Sequence, residues 1–568
     1  MRRKKQMGKV FALAMAATLT AGICVSGNAA SNDSSETVVQ EEVSSEADSQ
    51  ESNEENEQES KQENTKENNQ SDQSQSSQVS DQEGSVPGDF PGEPPEGMPG
   101  GMPPEKPDGD GSHTPPEKPD GNGDKSGERP GKPDGNGAPQ GMAPGGNGKP
   151  GEGHGGAPGG SSAEITYKGA EEITSKVTES SQSYVSTASD ENALLIATSE
   201  EVVIEDPTVT KSGDSDGGDS CNFYGLNAGV LVKDGSTTTI NGGTIRTDAS
   251  GANGVFSYGG NGGRNGAEGD GTTVIIQDTK ITTTGSGSGG IMTTGGGTTY
   301  AYDLDVTTSG RSSAPIRTDR GGGTVIVDGG TYTSNGLGSP AIYSTADIKV
   351  SNASLISNLS EGVCIEGLNS IELSDCDLTA DNTKCNGNAT FMDSIMIYQS
   401  MSGDADSGTS HFTMTGGSLT SKNGHVFHVT NTNAVITLED VEIVNEDEDN
   451  VLISVCDDGW NGGNNTATLN ASGQELEGAV LVGDNSSLTL NLSDGSSLEG
   501  YVDGKITNAS GTTVSTEVGT VSVTLDEDSS WTLTGDSYVS EFNGDASNVI
   551  SNGYTLYVNG TALTGVNE

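Results

Sequence analysis

Basic residues and aromatic rings are both scarce in this sequence. Lys and Arg number 27 against 83 Asp and Glu, a formal charge of −56, and aromatic residues fill 4% of the 568 positions. A surface of that sign excludes nucleic acid and anionic membranes as partners, because both require basic side chains. Hydrophobic residues reach only 29%, too few for one large round core. Apolar runs are short as well. Val10 to Ala21 is too short to span a bilayer, and no second apolar segment follows. Cysteine is sparse and odd in number beyond the first 30 residues: Cys221, Cys364, Cys376, Cys385 and Cys456. Cys376 and Cys385 bracket a loop and are the best candidate disulfide, with buried thiols an equal alternative. No Cys/His or Ser/His/Asp arrangement suggests a nucleophile.

Residues 1–30 read as a secretory signal peptide, with Arg2, Arg3, Lys4, Lys5 and Lys9 ahead of the apolar stretch and a small-residue cleavage point at Ala29 or Ala30. The C-terminal residues carry no sorting signal, so release or non-covalent association with a cell wall is expected. Residues 31–163 form an expected stalk. Its first part is rich in Ser, Glu, Gln and Asn and cannot repay ordering entropy. Its second part is rich in Pro and Gly, with Pro-Pro-Glu-Lys-Pro-Asp-Gly at 103–109 and again at 115–121, and reads as a semi-rigid spacer.

From residue 164 the pattern changes to short alternating β-prone runs. Gly271 to Leu373 holds one unit written four times, starting at Gly271, Gly297, Gly323 and Asp347. In the first copy the runs are 273–276, 280–283 and 290–293, separated by small residues. A unit of about 25 residues with three strands and no helix cannot bury its apolar face alone, so copies must stack. The expected fold is all-β: a right-handed parallel β-helix of about eleven turns, roughly 50 Å long at ~4.8 Å per turn. A terminal cap is expected from about residue 521, where the pattern becomes less regular and more aromatic.

Stacking the third strands places Ile291, Ile316, Ile342, Ile365, Ile397 and Phe427 inward. Met292, Arg317, Tyr343, Glu366, Tyr398 and His428 would then form an outward stripe beside Asp319, Arg320 and Gln399. Such rings and charges could hold a sugar; an ordinary solvent face is the plainer alternative. Asp214, Asp216 and Asp219 offer alternating oxygen ligands for Ca²⁺, with a solvated turn as the alternative. His425 and His428, three apart on a strand, are expected to face opposite sides.

The phrases Ile316–Thr324 (IRTDRGGGT), Ser339–Ala346 (SPAIYSTA), Ile397–Asp404 (IYQSMSGD) and Trp531–Tyr538 (WTLTGDSY) resemble the pectate-lyase-like superfamily of right-handed β-helices. More narrowly, residues 190–568 resemble uncharacterised exported β-helix proteins of Gram-positive bacteria, some adhesin-like or carbohydrate-binding. The resemblance implies a secreted or surface-displayed, monomeric module for an extracellular polysaccharide or a host or cell-wall glycan. It also implies the place where such folds hold polysaccharide, the stripe above. The alternatives are a polysaccharide lyase acting on uronates, with Arg317 as base and Ca²⁺ nearby, and a structural surface protein without ligand.

Overall fold

The computed structural model describes residues 165–568 except Asp216, 262–267 and 461–464. The expected signal peptide and stalk therefore lie outside the described residues. Three long parallel sheets carry the chain: sheet 1 with 13 strands, sheet 2 with 14 and sheet 3 with 10. The chain visits them in turn. Thr273–Gln277 lies in sheet 2, Lys280–Thr283 in sheet 3 and Ile291–Thr294 in sheet 1. The next copy pairs with these in register, Val274 with Thr299, Ile281 with Val306 and Ile291 with Ile316. This is a parallel β-helix.

Sheet 2 has fourteen strands, more than the eleven turns expected. The additions lie at the ends, where patterning is weakest. The first rung starts at Gly169–Ile173, and Thr520–Leu525 and Glu541–Asn543 still pair in parallel at the other end. At ~4.8 Å per spacing the stack is about 60 Å long. The cap accordingly begins later than residue 521: the coil closes with the antiparallel pair Leu556–Val558 and Thr561–Ala562.

In sheets 2 and 3 alternate residues face inward, as in Thr273–Gln277 with Val274 and Ile276 buried. Their side chains join one continuous core that runs from Ile173 to Leu556. A thin core of this kind needs few apolar residues per turn, which reconciles the fold with the composition.

Two corners repeat. Between sheets 2 and 3 the chain turns on a residue with positive φ, such as Asp278 (52°), Asp303 (50°), Asn352 (55°) and Asp375 (52°). Asp and Asn tolerate this left-handed region better than other side chains. Where the next corner crowds them, glycine is required: at Gly329 (φ 77°) a Cβ would meet Asp303 Oδ1 at 2.2 Å. Between sheets 3 and 1, buried hydroxyls end the inward row. Thr247, Thr283 and Ser334 donate to the carbonyls of Ala252, Ser288 and Ser339, five residues on. Lys211 pairs with Thr247 in this row, and its buried Nζ donates to Ala188 O and Gly213 O at 2.8 Å.

Sheet 1 differs from the other two. Val230–Lys233, Ile291–Thr294, Asp393–Tyr398 and Val451–Val455 are buried on both faces. Segments between its strands and those of the other sheets, among them the helix Asp219–Tyr224 and the residues around Ala389 and Trp460, fold back over its outer side.

Candidate functional site

The register of sheet 1 corrects the expected stripe. Met292 pairs with Arg317, Arg317 with Tyr343, Tyr343 with Cys364, Cys364 with Met396 and Met396 with His428. Glu366 and Tyr398 pair with each other two residues further along. The slip has a simple origin. Val363, not Ile365, continues the inward column from Ile342, and both are apolar and buried. Alternation alone cannot choose between two inward residues that are two apart.

The stripe is also covered rather than open. Phe256 and Met292 pack in a cluster with Leu195, Ala228 and Leu231. The helix Asp219–Tyr224 lies against them: a Cβ on its C-cap Gly225 would meet Leu231 Cδ1 at 2.5 Å and Phe256 at 2.9 Å. Further along, Ala389 and Trp460 cover Cys364, Met396 and Tyr398. Phe391, Cys456 and Ile506 cover Val451, Ala479 and Leu481. Burial of apolar surface holds these loops down at roughly 25 cal/mol per Å².

Between the covered ends lies a polar cluster that unites six of the expected site residues. Arg317 Nη2 donates to Asp319 Oδ2 at 2.7 Å, and Nη1 donates to Ser312 O at 3.0 Å. Arg320 pairs with Asp404 at 2.5 Å and lies over the Phe223 ring at 4.2 Å. Glu366 is the hub of the cluster. It accepts from Tyr343 Oη at 2.7 Å, Tyr398 Oη at 3.3 Å, Ser402 Oγ at 3.3 Å and Ser400 Oγ. Burial pushes the Glu366 and Asp319 carboxyls up, the latter to about 6 despite the pull of Arg317. The Arg317 side chain is 11% exposed and ion-paired to Asp319. It is thereby withdrawn from the role of base toward a polymer that the lyase reading gives it.

Gln399 braces the same loop, with Nε2 donating to Ser400 O and Ala405 O. His428 lies outside the cluster. Its Nδ1 and that of His425 both sit 2.7 Å from Ser454 Oγ, so the two histidines share a side. The expected opposition fails because alternation breaks between them, within the one strand His425–Thr430: Val426 and Phe427 both belong to the core. His428 Nε2 is 3.6 Å from Asp458 Oδ2, and both side chains are fully buried. Ser454, His428 and Asp458 thus meet in space without being expected to, but substrate has no access to them.

Asp214 Oδ1 accepts from Ser250 N at 2.8 Å, Asp219 opens the short helix, and Asp216 lies outside the described residues. Among the described residues no group of three or more His, Cys, Asp or Glu side chains is arranged to hold a metal ion. The candidate disulfide is not formed. Cys376 belongs to the main core and faces Val350 O, whereas Cys385 lies in the outer loop and faces Phe391 O.

An open groove does exist, one corner away from the expected stripe. It lies where sheet 1 turns into sheet 2, has a volume of about 380 Å³, and has a floor of Gly296, Gly321, Gly322 and Gly323. Thr324, Asp347, Asn369 and Glu268 supply polar walls, and Leu368, 49% exposed, supplies an apolar one. Asp347 accepts from Ser370 Oγ at 2.6 Å. Bare glycine backbone brings N–H and C=O groups close to a ligand. The two carboxylates accept hydrogen bonds from hydroxyl groups and disfavour anions. None of these glycines stands among the candidate site residues of the sequence analysis. Their neighbours across the groove come from other rungs, which only the register reveals. No family model matches the chain, and no curated protein or solved structure is similar to it.

Proposed function

We propose that the chain is an exported, surface-displayed β-helix that binds a neutral glycan in the corner groove. The groove is the observation that carries this reading. Its glycine floor, two carboxylates, amide and exposed Leu368 suit a polyhydroxylated ring, which donates hydroxyls to carboxylates and lays a C–H face on Leu368. Its acidic walls, on a chain of charge −56, argue against uronates and so against a uronate lyase. Export rests on the basic and apolar segments within residues 1–30. The adhesin-like role follows from a ligand site carried beyond a long polar stalk.

Asp347 and Leu368 are both exposed, so the Asp347→Ala, Leu368→Ala double variant retains the fold. On an array of neutral and acidic oligosaccharides, the wild type binds neutral members. The double variant binds them at least about tenfold more weakly, with an unchanged thermal midpoint. Binding confined to uronates, or neutral binding untouched in the variant, contradicts the proposal.

A further inference from the structure

The groove opens onto a second surface with its own chemistry. Thr324 lines the groove and also begins the outer face of a sheet 2 strand. On that face Ile275 pairs with Tyr300 and Tyr300 with Ile326, while Tyr302 lies two residues beyond Tyr300 on the same side. Thr298 pairs with Thr324 in the neighbouring column. Among the described residues none of the covering loops buries these side chains: all are partly exposed, and Tyr302 is 37% exposed.

The charge pattern frames the patch. One rung before it stand Glu201 and Glu205, paired with Thr237 and Asn241. One rung after it stand Asp347 and Lys349, and Lys349 Nζ is ion-paired to Glu372 at 2.6 Å. The four rungs between carry three outward positions each, and of these only Asp328, at the rim, is charged. On a chain of charge −56 such a neutral window is selective for an uncharged partner. It is also flat, because parallel strands in register present their outward residues in one plane.

We infer that this face binds the extended chain of a neutral, β-linked polysaccharide that runs on from the groove. The inference rests on the glycan reading of the groove. The rings of Tyr300 and Tyr302 offer apolar faces to sugar rings, Ile275 and Ile326 flank them, and the threonine hydroxyls meet the sugar edges. The size of the patch speaks against a second copy of the chain. Three rung spacings at ~4.8 Å by four residues at ~3.3 Å span about 190 Å², against roughly 800 Å² per partner in a stable interface. A linear polymer needs no more width than this and gains from continuity with the groove.

The test compares polymer with oligomer. Amorphous cellulose and insoluble chitin serve as neutral β-linked polymers, and their soluble tetrasaccharides as oligomers. The Tyr300→Ala, Tyr302→Ala variant should bind the preferred polymer at least about tenfold more weakly, with oligomer binding unchanged. Thr298→Lys, which places a charge on the same face without removing a ring, should weaken polymer binding likewise. The inference fails if both variants pellet with polymer as the wild type does, or if the wild type binds tetrasaccharide and neither polymer. Loss of tetrasaccharide binding in Asp347→Ala, Leu368→Ala supports the groove independently. If that variant and the wild type bind tetrasaccharide equally, the groove reading falls and the face proposal falls with it.

Discussion

Replacement of Glu366 by alanine should release the loop of residues 399–408 from sheet 1. Glu366 is 1% exposed and gathers four hydroxyl groups, from Tyr343, Tyr398, Ser400 and Ser402. Its removal strands those hydroxyls in a site closed to water, at a cost of about 3–5 kcal/mol. The change is local, because a solenoid rung contacts only its neighbours. Hydrogen exchange should therefore accelerate across 399–408 and the strand Val363–Glu366, while the first rungs keep their protection. Glu366→Gln preserves the volume and one acceptor oxygen and should fall between the two. Unchanged exchange over that loop in Glu366→Ala would show that the cover is held by other contacts.

The second large effect concerns pH, and its sign is opposite to ordinary acid denaturation. Burial raises the carboxyls of Asp319, Glu361, Glu366 and Asp393, and Asp393 is pushed further by Glu361 and Asp458. Neither oxygen of Asp393 has a hydrogen-bond partner among the described residues. A carboxyl whose folded pKa lies above its unfolded value binds more protons in the native state. Stability then falls as pH rises from about 4 through the folded pKa. For Asp319, raised from 3.8 to about 6, the full cost at neutral pH is about 3 kcal/mol. His425, held down to about 3 by burial and by His428, acts the other way. It withdraws stability as pH falls below 6.5 and offsets one of the four carboxyls. The thermal midpoint should therefore rise by several degrees between pH 8 and pH 5.5. Asp393→Asn should flatten that slope. A midpoint that falls over the same interval would mean that these carboxyls are charged in the folded protein.

Most of the coil was legible from Gly271 to Leu373, and the reason is physical. Strands of sheets 2 and 3 have one wet face, so Thr273–Gln277 and Lys280–Thr283 alternate cleanly and announce their direction. Sheet 1 escaped the same logic because its strands are covered on both faces. Ala193-Leu194-Leu195-Ile196 and Val451-Leu452-Ile453 are continuous apolar runs, the mark of a strand without a solvent side. Read that way, they predict a covering layer and remove the exposed stripe. The two-residue slip at Val363 and the broken alternation at Val426 were beyond the simple pattern, since each depends on how one rung seats on the next. Even so, Arg317, Asp319, Arg320, Tyr343, Glu366 and Tyr398 were singled out together and do meet, as a largely buried latch with Arg320 at its edge.

The most direct measurement is carbodiimide labelling of carboxyl groups in the native protein, located by mass spectrometry with and without a neutral oligosaccharide that binds. The account predicts that Glu268 and Asp347 are labelled and that the ligand protects them. Glu366, Asp393 and Asp458 should react only after unfolding. Labelling of Glu366 in the native state, with protection there and none at Asp347, would return the binding site to the outer stripe of sheet 1 and contradict the account.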